Sequence, residues 1–267
     1  MSGTERKPMY VAIPGLDNGT TLKAIFTTRF GGVSKPPYDT LNLSLQRNDD
    51  RRNVIENYRL LSNETGIPTD NMVLTWQVHG DKISIVDKSH KGMGLVREHE
   101  LGCTDGLITA EKNIALVTIH ADCVPVYLYD PVKGVIALVH SGWRGTLLNI
   151  AAKSVNLMKD RYKCEARDII AGIGPHIRKC CFAVQNDVYD LFLDKFREYS
   201  DLFETSGSSY RIDLGGVITR SLIAEGLEMR NIHDIERCTV CEKELFFSHR
   251  GSRGNTGAGA AVLMMAG

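Results

Sequence analysis

The stretch Ile114–Asn149, IALVTIHADCVPVYLYDPVKGVIALVHSGWRGTLLN, constrains the fold more than any other part of the chain. Two apolar runs rich in Val, Ile and Leu flank Asp130-Pro131-Val132-Lys133-Gly134, the composition of a β-hairpin. Setting Tyr129 opposite Gly134 brings Cys123 opposite His140 at the open end. Facing Cβ atoms lie about 4.5–5.5 Å apart, so a thiol and an imidazole would share one small site. An antiparallel hairpin of this length also argues against an all-parallel sheet.

Further β-like runs recur at Leu22–Thr28, Met72–Trp76, Ile83–Val86, Ile169–Ile173 and Ala260–Met265. Segments of helical period lie between them. Asp49 and Asp50 precede Val54, Tyr58 and Leu61, and Gly66 with Pro68 closes that helix. After Thr146, the residues Leu148, Ala151, Val155, Met158 and Tyr162 repeat at three- and four-residue steps. Asp187 caps a segment carrying Val188, Leu191 and Phe192, and Asp213 opens another carrying Val217, Leu222 and Leu227. His90–Gly102 and Asp201–Tyr210 read as polar loops. The expectation is an α/β (α+β-like) chain with a mixed β-sheet covered by helices. Neither an internal repeat nor a composition break divides it, so residues 1–267 read as a single domain with its core at about 22–265.

The 32 basic and 32 acidic side chains cancel, and no basic stripe with interleaved aromatics is present, which disfavours a nucleic-acid partner. The opening MSGTERKPMYVAIPG has no apolar signal core, and no run reaches a membrane span. The seven cysteines are accordingly expected to be reduced thiols of a cytoplasmic protein.

His140 ends an apolar strand and precedes Ser141-Gly142-Trp143-Arg144-Gly145-Thr146, a glycine-containing turn into a helix. Cys123 enters the preceding strand, and His79 ends Thr75-Trp76-Gln77-Val78-His79-Gly80. A lone histidine is more often a hydrogen-bonded structural residue than a ligand, but the hairpin draws these donors together. Two imidazoles and one thiolate make a catalytic zinc set with a fourth position for water, whose pKa zinc lowers to about 7. His120 and Asp122 compete for ligand places, being within three residues of Cys123. Asp122 is alternatively a proton carrier, or a group that orients a ligand from behind. A metal-free reading pairs Cys123 with His140 as a thiolate–imidazolium nucleophile of a cysteine hydrolase or deamidase. A non-catalytic metal-binding protein is the third class.

Arg29, Arg144 and Arg250 each follow a β-like run at a glycine-flanked turn, and together they are candidates for gripping phosphate. Cys238-Thr239-Val240-Cys241 is a C-x-x-C, but its only companion, Cys180-Cys181, lacks the local spacing of a zinc pair. These four are read as buried or incidental thiols.

The blocks TTRFGGVS, TWQVHG, HADCVPV, VHSGWRGT, GIGPHIRKCCFAV and FFSHRG…TGAGAAVLMM occur in that order from about Leu22 to Met265. They resemble the multicopper polyphenol oxidoreductase, or laccase-domain, family. Its bacterial members are of the YfiH/YlmD type, described as purine nucleoside phosphorylases. The resemblance implies a layered α/β/β/α sandwich and a zinc ion on His79, Cys123 and His140. It also implies phosphorolysis of adenosine, inosine, guanosine and S-methyl-5'-thioadenosine, with deamination of adenosine. Inorganic phosphate and purine nucleosides would be the partners; the oligomeric state is left open. Where many members have arginine, this chain has Gly251 and Ala258, and Leu45-Gln46-Arg47-Asn48 replaces a more usual glycine- and valine-containing run. With eight histidines and no H-x-H pair, the chain lacks the ligands of a four-copper oxidase. One copper ion at the His79, Cys123 and His140 site, with a minor polyphenol oxidase activity, stays compatible with the inventory.

Overall fold

The structure is a computed structural model that describes residues 7–207 and 209–267. The first six residues of the expected 1–267 domain, and Ser208 within the expected 201–210 loop, lie outside the described residues. Strands β1 (Tyr10–Ala12) and β2 (Leu22–Thr27) precede α1 (Arg51–Thr65). Six strands follow: β3 (Met72–Leu74), β4 (Ile83–Ile85), β5 (Gly106–Thr109), β6 (Ala115–His120), β7 (Val124–Asp130) and β8 (Val135–Ser141). Next come α2 (Trp143–Leu147), α3 (Ile150–Tyr162), β9 (Ile170–Ile173), β10 (Ala183–Val184) and α4 (Asn186–Lys195). The described chain closes with β11 (Phe203–Ser206), β12 (Ser209–Ile212), α5 (Leu214–Ala224), β13 (Ile232–Asp234) and β14 (Gly259–Met265).

Two mixed sheets stack face to face, as the alternation of their side chains requires. One has the order β1-β2-β14-β6-β3 and the other β13-β9-β7-β8-β5-β4. Leu116, Leu263 and Phe26 of the first meet Leu107, Tyr127, Ile136 and Leu138 of the second in a shared inner layer. The opposite face of the first sheet, with Met72, Val117 and Val262, is covered by Val54, Tyr58 and Leu61 of α1. The opposite face of the second, with Val126, Ala137 and Val139, is covered by α3 and α5 through Val155, Met158, Val217 and Leu222. The result is the expected four-layer α/β/β/α arrangement.

Local chemistry explains the elements. Asp50 caps α1 by accepting from the Arg52 N–H at 2.9 Å, and Gly66 ends the helix in the left-handed region. Asp213 caps α5 through the Gly216 N–H at 3.0 Å. Asp187, expected as a cap, instead lies in the first turn of α4, which Gln185 precedes without a side-chain bond. The helix expected after Thr146 is split: Asn149 adopts φ 58°, separating α2 from α3 and leaving Leu148 exposed. Part of the expected Asp201–Tyr210 loop is the β11–β12 pair, with Thr205 facing Tyr210.

The hairpin forms, with a different register. Asp130 pairs with Val135 and Tyr129 with Ile136, so His140 faces Pro125 rather than Cys123. Asp130 Oδ1 accepts the Val132 and Lys133 N–H groups, and Gly134 takes φ 63°, which closes the loop in four residues. The displacement is two residues, so the side of the sheet on which His140 lies is kept. Extending the ladder one step past Val124–Ser141 places Cys123 beside Gly142, next to His140.

Candidate metal centre

The site sits at one end of the inner layer. His140 shares the inward parity of Ile136 and Leu138 on β8, and His120 that of Leu116 on β6. Cys123 lies on the crossing from β6 of one sheet to β7 of the other. His79 comes from the loop after β3, where Gln77 binds Ile119 on β6 through both its amide groups, at 2.7 and 2.8 Å. One donor atom each from His79, Cys123 and His140 lies within 4.8 Å of the other two. The His79 and His140 rings meet edge-on with centroids 4.9 Å apart. The structure thus brings the three expected donors together.

Asp105, immediately before β5, organises them. Its Oδ1 contacts His140 Nδ1 at 2.9 Å and accepts the His79 N–H at 2.9 Å. Its Oδ2 accepts the N–H groups of Val78 at 3.1 Å and Gly80 at 2.9 Å. Its carbonyl accepts the His140 N–H at 2.7 Å. Those bonds hold His79 at φ 61°, a left-handed conformation that a side chain adopts only when its surroundings enforce it. They also tether Nδ1 of His140 and leave Nε2 for the site, the carboxylate–histidine arrangement that orients metal ligands. Burial pushes the Asp105 carboxyl up, but His140 and the Gly80 and Val78 N–H groups outweigh it and hold the group below its usual range.

Burial alone would raise the Cys123 thiol. The charge and hydrogen bond of His140, with those of His79, bring it down to about 6. His140 moves the opposite way: burial opposes its charge, yet Cys123 and Asp105 lift it to about 9. Without a metal the pair is therefore a thiolate and an imidazolium.

Of the two competing ligands, His120 is satisfied elsewhere: Nε2 meets Thr118 Oγ1 at 2.7 Å and Nδ1 meets the Cys123 carbonyl at 3.0 Å. Burial holds its pKa well below the usual range, so it stays neutral. Asp122, expected as a proton carrier or an orienting group, has both carboxylate oxygens bonded within the fold. Held at φ 95°, it accepts the Thr239 hydroxyl and the Arg250 N–H, each at 2.6 Å and on different oxygens.

The three arginines do not converge. Arg29 binds Asp39 and the Lys243 carbonyl and lies over Phe247, away from the cavity. Arg144 is exposed and stacks on Trp143 at 4.2 Å. Only Arg250 of the three lines the cavity of about 1330 Å³ into which the donors open. Arg47, Arg51 and Arg97, none of them expected from the sequence as an anion ligand, line it as well. So do Trp76, half exposed, and His99, whose ring centroid is 6.0 Å from that of Trp76.

Gly142 is the other unforeseen participant. A Cβ there would lie 2.9 Å from His79 Cδ2 and 3.1 Å from Cys123 Sγ. Gly142→Ala is expected to displace both donors and weaken metal binding about tenfold; unchanged affinity in a chelator competition would refute this crowding.

A family model described as multi-copper polyphenol oxidoreductase laccase matches residues 23–266. A relative named purine nucleoside phosphorylase YlmD, from Geobacillus stearothermophilus, is 40% identical over 86% of this chain and 85% of its own. A relative of the same name from Bacillus subtilis is 33% identical over 90% and 87%. The crystal structure of YlmD from Geobacillus stearothermophilus superimposes with a TM-score of 0.88 at 35% identity, covering 97% of this chain and 99% of that one.

Proposed function

The chain belongs to the multi-copper polyphenol oxidoreductase laccase family, and from that premise we propose that it is a zinc-dependent purine nucleoside phosphorylase acting as one domain. The observation that carries this is the His79, Cys123 and His140 donor set opening into a cavity lined by both aromatic and arginine side chains, taken with the purine nucleoside phosphorylase names of its relatives. Adenosine, inosine, guanosine and S-methyl-5'-thioadenosine are the proposed substrates, and adenosine deamination the second activity. Among the described residues no helix is long and apolar enough to cross a membrane; a cytoplasmic site of action is part of the proposal.

The donor set fits zinc: two imidazoles, one of them braced by a carboxylate, and a thiol already favouring its anion. Copper(II) would compete for the same donors. Bound there, the metal would supply Lewis-acid polarisation of a substrate oxygen or a water.

The chain's own groups account for binding and charge. A purine is a flat aromatic surface, and Trp76 presents a half-exposed indole with His99 behind it. Phosphate needs cations, and Arg47, Arg51 and Arg250 line the same cavity. In phosphorolysis a phosphate oxygen bonds to the anomeric carbon as the carbon–nitrogen bond to the purine breaks. The departing base takes up a proton. Arginines around the phosphate stabilise the charge distribution of that step. Asp122, with both oxygens accepting hydrogen bonds, serves as an anchor beneath Cys123 rather than as the proton carrier.

Incubation with adenosine, with and without phosphate, tests the reading. Adenine and ribose 1-phosphate should form in equal amounts, only when phosphate is present. Inosine formed without phosphate would report the deaminase. Absence of turnover of every nucleoside would overturn the proposal. The Cys123–His140 thiolate–imidazolium pair favours a second reading, a cysteine-dependent hydrolase or deamidase at the same place.

A further inference from the structure

A second cluster of metal-binding side chains lies apart from this centre. Cys180 and Cys181 belong to the segment between β9 and β10, and Cys238 and Cys241 to the segment after β13. Cys180 Sγ lies 3.7 Å from each of the sulfurs of Cys181, Cys238 and Cys241. Cys181 and Cys241 are separated by 3.5 Å, and all four sulfurs fall within 4.8 Å of one another. A zinc ion bound by four thiolates at about 2.3 Å requires sulfur–sulfur edges of about 3.8 Å. A disulfide requires about 2.05 Å, and all four cysteines are free. Four of the six sulfur–sulfur edges, at 3.5–3.7 Å, are close to those a tetrahedral zinc site requires, and two of the sulfurs come from one C-x-x-C turn.

We propose that Cys180, Cys181, Cys238 and Cys241 hold a structural zinc ion that ties the segment after β9 to the segment after β13. Four thiolates close the coordination sphere, so this ion has no open position for a substrate. Each thiol gives up its proton as the ion binds. Soft, all-sulfur tetrahedral coordination selects zinc over magnesium or calcium.

The ion's position gives it a role. Both stapled segments grip Asp122, the residue before Cys123. The Ile177 N–H donates to the Asp122 carbonyl at 2.8 Å, and the Thr239 hydroxyl to its carboxylate. The segments otherwise meet through short contacts at His176, which donates its N–H to the Arg237 carbonyl and accepts the Thr239 N–H. A zinc ion here positions Asp122 from outside the cavity and acts on the metal centre only through it.

Elemental analysis of the purified full chain and its variants tests this. Cys180→Ser and Cys241→Ser should each carry about one zinc fewer per chain than the wild type, whereas His79→Ala should retain that ion. Wild-type protein provides the reading that needs no variant to fold. Exposed Cys103 should react at once with iodoacetamide, while these four cysteines stay protected until a strong chelator is added. Equal zinc in wild type and Cys241→Ser, iron in place of zinc, immediate alkylation of the four, or disulfide-linked peptides in the native protein would each overturn the proposal. Loss of the His79, Cys123 and His140 metal alone would leave it standing, so the two sites fail separately.

Discussion

Asp105→Ala is expected to lower metal affinity at the His79, Cys123 and His140 centre by about 10- to 100-fold, the usual effect of removing a carboxylate that orients a metal-bound histidine. The same change should destabilise the fold by about 1–3 kcal/mol, since it strips the acceptor from three backbone N–H groups that are only partly buried and that water can reach in part. Those donors belong to the left-handed His79 and to Val78 and Gly80, which flank it. His140 loses the oxygen at 2.9 Å that fixes its ring. Asp105→Asn keeps one acceptor oxygen and should fall between the two. Because its folded pKa is depressed, the carboxylate's contribution is present above its unfolded pKa of about 4 and is lost as pH falls through the lower folded value. Chelator competition reads the affinity and urea denaturation the stability. An alanine variant with affinity within twofold of wild type would show that Asp105 does not organise the centre.

Asp105 also marks where sequence reasoning stops. It is a single aspartate before a short strand, with no periodic or motif partner, and its importance arises from β5 pairing with β8 beside the His79 loop. The metal trio is legible because two of its members flank one hairpin. The closing of that hairpin by Gly134 shifts the pairing by two residues, which preserves side-chain parity and so preserves the meeting of Cys123 with His140. The helices capped by Asp50 and Asp213 are legible for the same local reason, a side chain bonding its own first turn. Arginines are the opposite case. Their long side chains are directed by whichever partner lies within reach, so that Arg29 is drawn to Asp39 and Arg144 to the adjacent Trp143 while Arg47 reaches the cavity. Asp122 sits beside a ligand in sequence, but its carboxylate is taken up by Thr239 and the Arg250 N–H, partners more than a hundred residues away. The four-cysteine cluster escapes for a similar reason: adjacent Cys180 and Cys181 do not form a local zinc pair, and only the parallel pairing of β13 with β9 brings them to the C-x-x-C.

Cys123→Ala should abolish nucleoside turnover, by about a thousandfold or more, since loss of several kcal/mol of Lewis-acid stabilisation costs tenfold per 1.36 kcal/mol. It should also remove one metal ion per chain while leaving the four-cysteine ion in place. Turnover lost with the His79 and His140 metal retained would instead favour the thiolate nucleophile, and turnover retained would refute both. The protonation states sharpen the test. In metal-free protein Cys123 should react with iodoacetamide with a midpoint near its pKa of about 6, not at the usual value near 9. Its depressed pKa adds stability that is fully present above pH 9 and is lost as pH falls through about 6. The raised pKa of His140 does the reverse: its contribution is complete below about 6.5 and is lost as pH rises through about 9. Between those limits the two slopes cancel, because folding moves a proton from sulfur to imidazole without taking one from solvent. Metal-free stability contributed by this pair should therefore be flat from about pH 6.5 to 9, and metal binding in that window should expel one proton, from His140 rather than from Cys123. Calorimetric titration of zinc into protein whose four-cysteine site is already filled, in buffers of different ionisation enthalpy, counts that proton. A thiol beside a neutral imidazole would release the same single proton, so the thiolate itself is read from its ultraviolet absorbance in metal-free protein against Cys123→Ala; absence of that absorbance near neutral pH would remove the basis for the thiolate–imidazolium pair.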